Sequence, residues 1–183
     1  MPEPEVFMHE LKIPKMRIAV VIGTNGETKR ELEELSDTKI DVDSKEGLVT
    51  ITGKDALKLY LAKEMILAIG RGFSPETSRF LLKQDYTMDV ISLADFADKK
   101  KQLERVRGRV IGAKGKSREI IEQLTETNIS VFGKTISIIG YAENVVMARN
   151  AIEMLIDGST HATVYRRLEK YRRKLKEDRM LDF

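Results

Sequence analysis

The sequence of 183 residues contains no cysteine and no tryptophan, and only 6% of its residues are aromatic. Without cysteine the chain can form neither disulfides nor thiolate metal sites, which is typical of proteins from a reducing compartment. The core must therefore consist mainly of aliphatic side chains. No apolar run approaches the roughly 20 residues that a membrane-spanning helix needs. These absences predict a soluble cytoplasmic protein that contacts no membrane.

Charged residues are abundant, at 33% of the chain, but the two signs are unevenly distributed. Residues 1–98 carry 13 basic and 18 acidic residues, whereas residues 99–183 carry 19 basic and 11 acidic ones. The densest basic stretch, Lys99 to Arg118, has nine basic residues and one acidic residue, Glu104. Such a run is either the solvated face of a helix or the electrostatic footprint of a polyanion site. The motif inside the run decides between them.

An internal repeat organises the chain. The segment from Val21 to Gly26, VIGTNG, resembles the segment from Val110 to Gly115, VIGAKG, which lies 89 positions later. Further matches follow downstream at the same offset: Thr28 with Ser117, Leu32 with Ile121, Leu35 with Leu124, Ile40 with Ile129 and Val42 with Val131. Self-similarity at a fixed offset indicates two copies of one structural unit.

Hydrophobic periodicity assigns each copy the order strand, helix, G-x-x-G loop, helix, strand, strand, helix. We therefore predict an α+β fold with two units, each a three-stranded antiparallel sheet with helices on one face. The predicted boundaries are 1–72 for the first unit, 73–85 for a linker with a short helix, 86–158 for the second unit and 159–183 for a basic C-terminal helix.

The same periodicity predicts which side chains of two helices are buried. In the closing helix of the first copy the buried side is predicted to hold Leu57, Leu61, Met65 and Ala68. In the C-terminal helix, Leu168, Tyr171 and Leu175 recur at helical spacing and are expected to dock the helix onto the body of the protein.

The glycine loops have a chemical use. Two glycines flanking two residues between helices permit a tight turn and a close approach of another backbone. The helix that follows begins at the turn, so its first N–H groups and its dipole favour a phosphate there. A single G-x-x-G arises often by chance, whereas two in matched contexts carry real information.

No catalytic constellation accompanies these loops. The triplet from Gly115 to Ser117 resembles the end of a nucleotide-binding P-loop, but that motif requires glycine at position 110, which is Val110. The two histidines, His9 and His161, lie in different parts of the chain without a metal-ligand pattern. We therefore expect no enzymatic activity, no metal site and no cofactor.

The sequence Ile-Gly-x-x-Gly within this order of elements resembles the KH domain in its type I arrangement, β-α-α-β-β-α. KH domains hold about four nucleotides of single-stranded nucleic acid along the G-x-x-G loop. Three further stretches, Arg71–Glu76, Arg109–Ser117 and Thr135–Gly140, resemble one tandem-KH family, and the short N-terminus predicts its archaeal form. This is the small-subunit ribosome-assembly family, whose members are partners of the endonuclease that matures the 3′ end of small-subunit rRNA.

The resemblance implies specific site residues in the second copy. The phosphate loop would consist of Gly112, Ala113, Lys114 and Gly115. The basic residues implied around it are Lys116, Arg118, Arg109 and Lys134. The apolar groove would be lined by Val110, Ile111, Ile129 and Val131, about half of which would belong to the core of any KH domain.

The first copy departs from this pattern. Its equivalent residues are Gly23, Thr24, Asn25, Gly26 and Lys29. Glu27 follows the loop where the second copy has a base, and an acid beside a phosphate site weakens it. We therefore interpret the first copy as a weaker RNA site.

Two functions from different classes remain. The first is binding of single-stranded RNA, specifically small-subunit rRNA near its 3′ end during ribosome biogenesis, mainly through the second copy. The alternative is a protein–protein adaptor with degenerate KH folds in a ribonucleoprotein complex. Beside RNA, the resemblance implies as partners the rRNA 3′-end endonuclease and other assembly or translation factors. The sequence leaves open whether the first copy binds RNA or protein.

Overall fold

The predicted order of elements occurs twice along the chain in the computed structural model, which describes residues 5–181. The outer boundaries predicted at residues 1 and 183 lie outside the described residues. The chain divides into two units, the first extending to Gln84 and the second beginning at Asp85. Along the described residues, no helix has the length and apolarity that crossing a membrane requires.

The first unit contains a three-stranded antiparallel sheet in the order β1-β3-β2. Its elements are β1 (Phe7–Lys12), α1 (Lys15–Ile22), α2 (Glu27–Ser36), β2 (Lys39–Asp43), β3 (Leu48–Gly53), α3 (Ala56–Gly70) and α4 (Pro75–Ser78). The second unit has the equivalent sheet order β4-β6-β5. Its elements are β4 (Tyr86–Ser92), α5 (Lys100–Ile111), α6 (Lys116–Thr125), β5 (Asn128–Phe132), β6 (Thr135–Tyr141), α7 (Ala142–Ile156) and α8 (His161–Leu181). The predicted fold class is confirmed.

Alternation along the central strands explains how each core forms. In β3, Val49 and Ile51 are fully buried while the neighbouring Leu48, Thr50 and Thr52 are only half-buried, because successive side chains of a strand point to opposite faces. The helices of each unit cover that apolar face, and each unit has its own hydrophobic cluster. A core of this kind needs no cysteine and no tryptophan, as the composition indicated.

Helix α3 corrects one prediction of burial. Leu57 was expected on the buried side, but its side chain is 66% exposed. The N-cap Asp55 accepts hydrogen bonds from the N–H groups of Leu57 and Lys58, which places Leu57 in the solvent-facing first turn. Met65 and Ala68 are fully buried, as predicted, and Leu61 is half-buried. The rest of the buried face is formed by Leu59, Ala62, Ile66 and Ile69.

The segment predicted as a separate linker, 73–85, belongs almost entirely to the first unit, which reaches Gln84. Ser74 caps the short helix α4 by accepting the N–H of Thr77 at 3.2 Å, and Pro75 occupies the first turn. Phe73 and Leu81 on either side are each only 5% exposed. Buried side chains and hydrogen bonds therefore anchor the segment in the first unit.

The C-terminal helix α8 is part of the second unit's core. Leu168 is buried, as predicted, whereas Tyr171 and Leu175 are half-buried. Val164, which the periodicity argument missed, is fully buried in the same cluster. The helix packs against α6 and α7, and its burial identifies it as a structural element of the unit.

Candidate nucleic-acid interface

The two G-x-x-G loops have the same backbone conformation. Gly23 (φ 72°, ψ 179°) matches Gly112 (φ 73°, ψ 175°). The second loop residue is left-handed in both copies, with φ 52° at Asn25 and φ 53° at Lys114. In each unit the loop is a single 3-10 turn that leads directly into the next helix. The sequence repeat therefore corresponds to a repeat in geometry.

Gly112 is required by space as well as by its dihedral angles. A Cβ at this position would lie 2.6 Å from the Cβ of Ser117 and 2.7 Å from the Ser117 backbone nitrogen. Gly115 differs, because a Cβ there would meet no atom within 4 Å, and only its φ of +78° favours glycine. Gly112 thus holds the loop against the start of α6, and Gly115 leaves the surface of the turn open.

The exposed side chains on the second loop are Ala113 and Lys114, and the first turn of α6 adds the exposed Lys116 and Arg118. The structure therefore brings together these three predicted basic residues at the positive end of a helix. Lys134 lies elsewhere in the unit. It is exposed on the turn between β5 and β6, and its carbonyl accepts the N–H of Leu93, which precedes α5 in the chain.

The predicted apolar groove contains two accessible residues. Val110 is fully buried and Ile129 is 4% exposed, and both belong to the hydrophobic cluster of the unit. Ile111 and Val131 are half-buried and so present apolar surface to solvent. The groove role therefore stays a prediction for Ile111 and Val131, whereas the structure gives Val110 and Ile129 a packing role.

Arg109 has a structural role that the sequence interpretation did not foresee. Its Nε donates to the carbonyl of Leu155 at 2.7 Å, and its Nη2 donates to the carbonyl of Ser159 at 2.6 Å. The carbonyl of Arg109 itself lies 2.8 Å from Nε2 of His161, at the start of α8. The half-buried guanidinium thus satisfies the C-terminal end of α7. Its predicted contact with RNA remains untested.

A glutamate in each unit joins the helix after the loop to the strand beyond it. Glu122 of α6 accepts the backbone N–H of Ile129 at 2.7 Å, and Glu33 of α2 accepts the N–H of Ile40 at the same distance. Burial raises the pKa of the Glu122 carboxyl above its ordinary value, and the N–H of Ile129 and the nearby charge of Arg118 oppose that rise. The sequence repeat could have identified this pair, because Glu33 and Glu122 are separated by the offset of the repeat, 89 positions.

A basic residue precedes each of these glutamates by one helical turn. Arg118 Nε lies 3.8 Å from Glu122 Oε2, and Lys29 Nζ lies 3.9 Å from Glu33 Oε1. These pairs are long and partly exposed, so each contributes little to stability. The charge of Arg118 therefore remains accessible beside the loop.

A cation that the sequence pattern did not predict lies beside the first loop. Arg30 is exposed and its Nη2 donates to the carbonyl of Asn25 at 3.1 Å, so the guanidinium lies against the loop. The equivalent residue of the second unit is Glu119. Glu27, in turn, corresponds to Lys116, so the two units exchange an acid and a base within one helical turn.

Packing does not explain why position 108 is a glycine. It lies in the interior of α5, is exposed, and a Cβ added there would meet no atom within 4 Å. Glycine inside a helix is less favourable than alanine by about 1 kcal/mol. A small exposed residue one turn before Gly112 leaves room for the close approach of a ligand backbone or base.

Two family models match the chain. Residues 8–68 match the model of the KH domain, and residues 87–173 match a model described as a eukaryotic-type (type I) KH domain. The second match extends beyond α7 into α8. The structural repeat therefore coincides with two matches to KH models.

Curated proteins and solved structures show the same likeness. The chain is 43% identical to a KH domain-containing protein of Methanocaldococcus jannaschii over 173 residues, covering 92% of this chain and 76% of that protein. It is 31% identical to the pre-rRNA-processing protein PNO1 of Chaetomium thermophilum over 124 residues, covering 65% of this chain and 47% of that protein. Thus the alignment spans about half the length of this eukaryotic relative.

The structure is similar to a chain in the crystal structure of an a/eIF2α–aDim2p–rRNA complex from Pyrococcus horikoshii. The TM-score is 0.87 and the sequence identity 44%, covering 92% of this chain and 96% of that one.

Proposed function

We propose that this chain, which belongs to the tandem type I KH-domain family of archaeal Dim2 and eukaryotic PNO1, binds single-stranded RNA of the small ribosomal subunit. In this proposal it acts during rRNA processing, near the 3′ end of the rRNA, and catalyses no reaction itself. The second unit provides the principal RNA site. The protein works in the cytoplasm as an assembly factor.

One observation carries the proposal: the second G-x-x-G loop presents accessible cations where a phosphate would meet the start of α6. Lys114, Lys116 and Arg118 are exposed, and no carboxylate within the described residues lies within 4.0 Å of Lys114 or Lys116. Contacts from such residues to phosphates position a nucleic acid without reading its sequence. The half-buried Ile111 and Val131 would then face the bases.

The relatives support the choice of RNA. The archaeal Dim2 chain is part of a complex with rRNA, and the eukaryotic relative is a pre-rRNA-processing protein. We extend these properties to this chain because the tandem arrangement and both loops are present.

A second candidate function is favoured by the acidic character of the first unit. Asp41 and Asp43 are exposed on β2, and Glu46 is exposed on the turn that follows. We infer that this surface serves a protein partner, such as the rRNA 3′-end endonuclease or another assembly or translation factor. RNA binding by one unit and protein binding by the other are compatible.

The test is a titration of fluorescently labelled single-stranded RNA from the small-subunit rRNA 3′ end. In Ala113→Asp/Lys114→Asp, affinity should fall at least about tenfold, because each lost charged contact is worth on the order of 1–3 kcal/mol and repulsion is added. The matched variant Thr24→Asp/Asn25→Asp should lose much less, since Glu27 already weakens that loop. Both changes lie on exposed turns, so circular dichroism should show an unchanged fold.

The salt dependence gives an independent measure. Affinity should fall steeply between low and physiological salt, because contacts to phosphates release counterions. Equal losses in the two loop variants would refute the assigned division of labour. No loss in either variant, with weak salt dependence, would remove RNA binding at the loops and favour the adaptor function.

A further inference from the structure

The exposed side of α8 carries a row of three basic residues, Arg166, Lys170 and Arg173, which we name the basic row. Residues four and three apart share one face of a helix, so these side chains form a line about 10 Å long. All three are exposed. Val164 and Leu168, on the opposite side, are buried in the core of the second unit, which fixes the basic row toward solvent.

Among the residues that the structure describes, the basic row has no ion-pair partner. No ion pair within 4.0 Å joins any of its three members to a carboxylate in the part of the chain that the structure describes. Arg172 lies on a different face of α8 and does have a partner, because its Nη1 donates to the carbonyl of Gln123 at 3.3 Å. Arg172 thus holds the helix in place, while the charges of the basic row are available for a ligand.

Helix α8 begins near the second loop and runs alongside α6. His161, the first residue of α8, contacts the carbonyl of Arg109, three residues before Gly112. Eleven residues further on, Arg172 reaches Gln123 in the last turns of α6. Both α6 and α8 therefore start on the loop side of the unit and run away from it together, and the basic row extends along α8 in the same direction.

We propose that the basic row binds the phosphate backbone of the RNA strand where it extends beyond the nucleotides held at Gly112–Gly115. This proposal rests on the proposed function and adds a second contact site to it. It explains why a helix outside the β-α-α-β-β-α core is packed so firmly onto the helix that follows the loop. The strand would leave the loop and continue along α8.

The chemistry of the row favours RNA over a protein partner. Arg166, Lys170 and Arg173 offer like charges, one helical turn apart, for successive phosphates, with the exposed Glu169 beside them. A polyanionic backbone is the ligand that satisfies such a line of charge along its whole length.

The experiment compares two RNAs that share one central sequence, a five-nucleotide and a twenty-nucleotide oligomer, titrated with the full chain. In Arg166→Gln/Lys170→Gln/Arg173→Gln, affinity for the longer RNA should fall about tenfold at low salt. The slope of log affinity against log salt should become shallower by about 2, because roughly 0.7 counterions are released per single-strand phosphate contact. Affinity for the five-nucleotide RNA should stay within twofold of the unaltered protein.

A matched control removes the same charge elsewhere. Lys12, Lys39 and Lys54 are exposed in the first unit, and their replacement by Gln should change binding of either RNA by less than twofold. The melting temperature of both triple variants should match that of the unaltered protein. Lys114→Asp separates the two proposals, because it should weaken both RNAs and so reports on the loop alone.

Two outcomes would overturn the proposal. If the row variant binds both RNAs as tightly as the unaltered protein, the basic row is a solvated face or a surface for a protein. If it loses the same factor for both lengths, or if the control variant matches its loss, the row has no separate contact with the extended strand.

Discussion

The loops of the two units place different side chains on one backbone. Asn25 and Lys114 have nearly identical left-handed dihedral angles, yet only the second contributes a charge. The next turn continues the difference, since Glu27 and Arg30 of the first unit stand where the second has Lys116 and Glu119. Glycine fixes the shape of the loop, and its neighbours fix the electrostatics. The same loop shape therefore occurs in two units that carry different charges around it.

A second comparison concerns the end of the closing helix. Arg17 donates to the carbonyls of Ile69 and Phe73, at 2.7 and 2.6 Å, and Arg109 makes the equivalent bonds in the second unit. The two arginines are not at equivalent positions, because Arg17 stands six residues before its loop glycine and Arg109 only three. The two positions differ by about one helical turn, and both long side chains reach equivalent carbonyls at the end of the closing helix of their own unit. In each unit an arginine thus satisfies the carbonyls at the end of the closing helix, although the two arginines occupy different positions in the repeat.

The largest effect is expected from removing these arginines. Arg109→Ala should lower the free energy of unfolding by about 3 kcal/mol, because two hydrogen bonds from a charged donor are lost and two carbonyls lose their partner. Arg17→Ala should act similarly in the first unit. Denaturant unfolding monitored by circular dichroism measures both, with Arg105→Ala, exposed on the same helix as Arg109, as the control. Equal stability of Arg109→Ala and the control would show that the bonds contribute nothing.

The next largest effect is expected at the glutamates that anchor the groove strands. Glu122→Ala should lower the free energy of unfolding by about 2 kcal/mol, because the N–H of Ile129 loses its acceptor. Glu122→Gln keeps an acceptor oxygen and should be much less affected. Glu33→Ala tests whether the first unit depends on its anchor equally. A Gln variant as unstable as the Ala variant would assign the stabilisation to the charge.

The pH dependence of stability sharpens this test. Burial raises the pKa of Glu122 above its ordinary value of 4.5, so the folded state binds that proton more tightly than the unfolded chain. The contribution of Glu122 to the free energy of unfolding should therefore decrease as pH rises from 4.5 through the raised pKa. Glu122→Gln should lack this contribution. Identical pH profiles for the two proteins, measured by denaturant unfolding, would contradict it.

A smaller effect is expected from giving the first loop the charges of the second. In Asn25→Lys/Glu27→Lys, RNA affinity should rise about fivefold, because an acid is replaced by a base and a cation is added, which is worth about 1 kcal/mol. Lysine fits the left-handed position, as Lys114 shows. The titration uses the rRNA 3′-end oligomer, with Lys45→Arg as a charge-neutral control. An unchanged affinity would mean that RNA does not approach the first loop.

The smallest effect is expected at Gly108. Gly108→Ala should raise the free energy of unfolding by up to about 1 kcal/mol, because alanine is the better helix former. RNA affinity should decrease if the strand approaches α5 closely at this point. The reciprocal variant Ala19→Gly, at the equivalent exposed position of α1, should lose stability without a comparable change in binding. Unchanged affinity in Gly108→Ala would place the strand elsewhere.

The repeat and the glycine loops could be predicted from the sequence because their causes are local. A positive φ and the lack of room beside Ser117 both require glycine at position 112, so the motif indicates the backbone conformation directly. The strand and helix order also follows from periodicity within single segments. Leu57 was misassigned because only the packing against the sheet shows that the buried face begins at Leu59, which lies about 200° around the helix from Leu57.

Tertiary structure alone decided which members of the candidate site are accessible. Val110 and Ile111 are neighbours in an apolar pair, and only the packing of the helix against the sheet buries the first and exposes part of the second. Arg109 belongs to a basic run, and only the position of the α7 terminus, 46 residues away, gives its guanidinium two carbonyls. The sequence by itself determined the fold, the loops and the charge around them, since these depend on neighbouring residues. Whether a charged side chain bonds within the protein or stays accessible to a ligand depended on partners far along the chain, which only folding brings together.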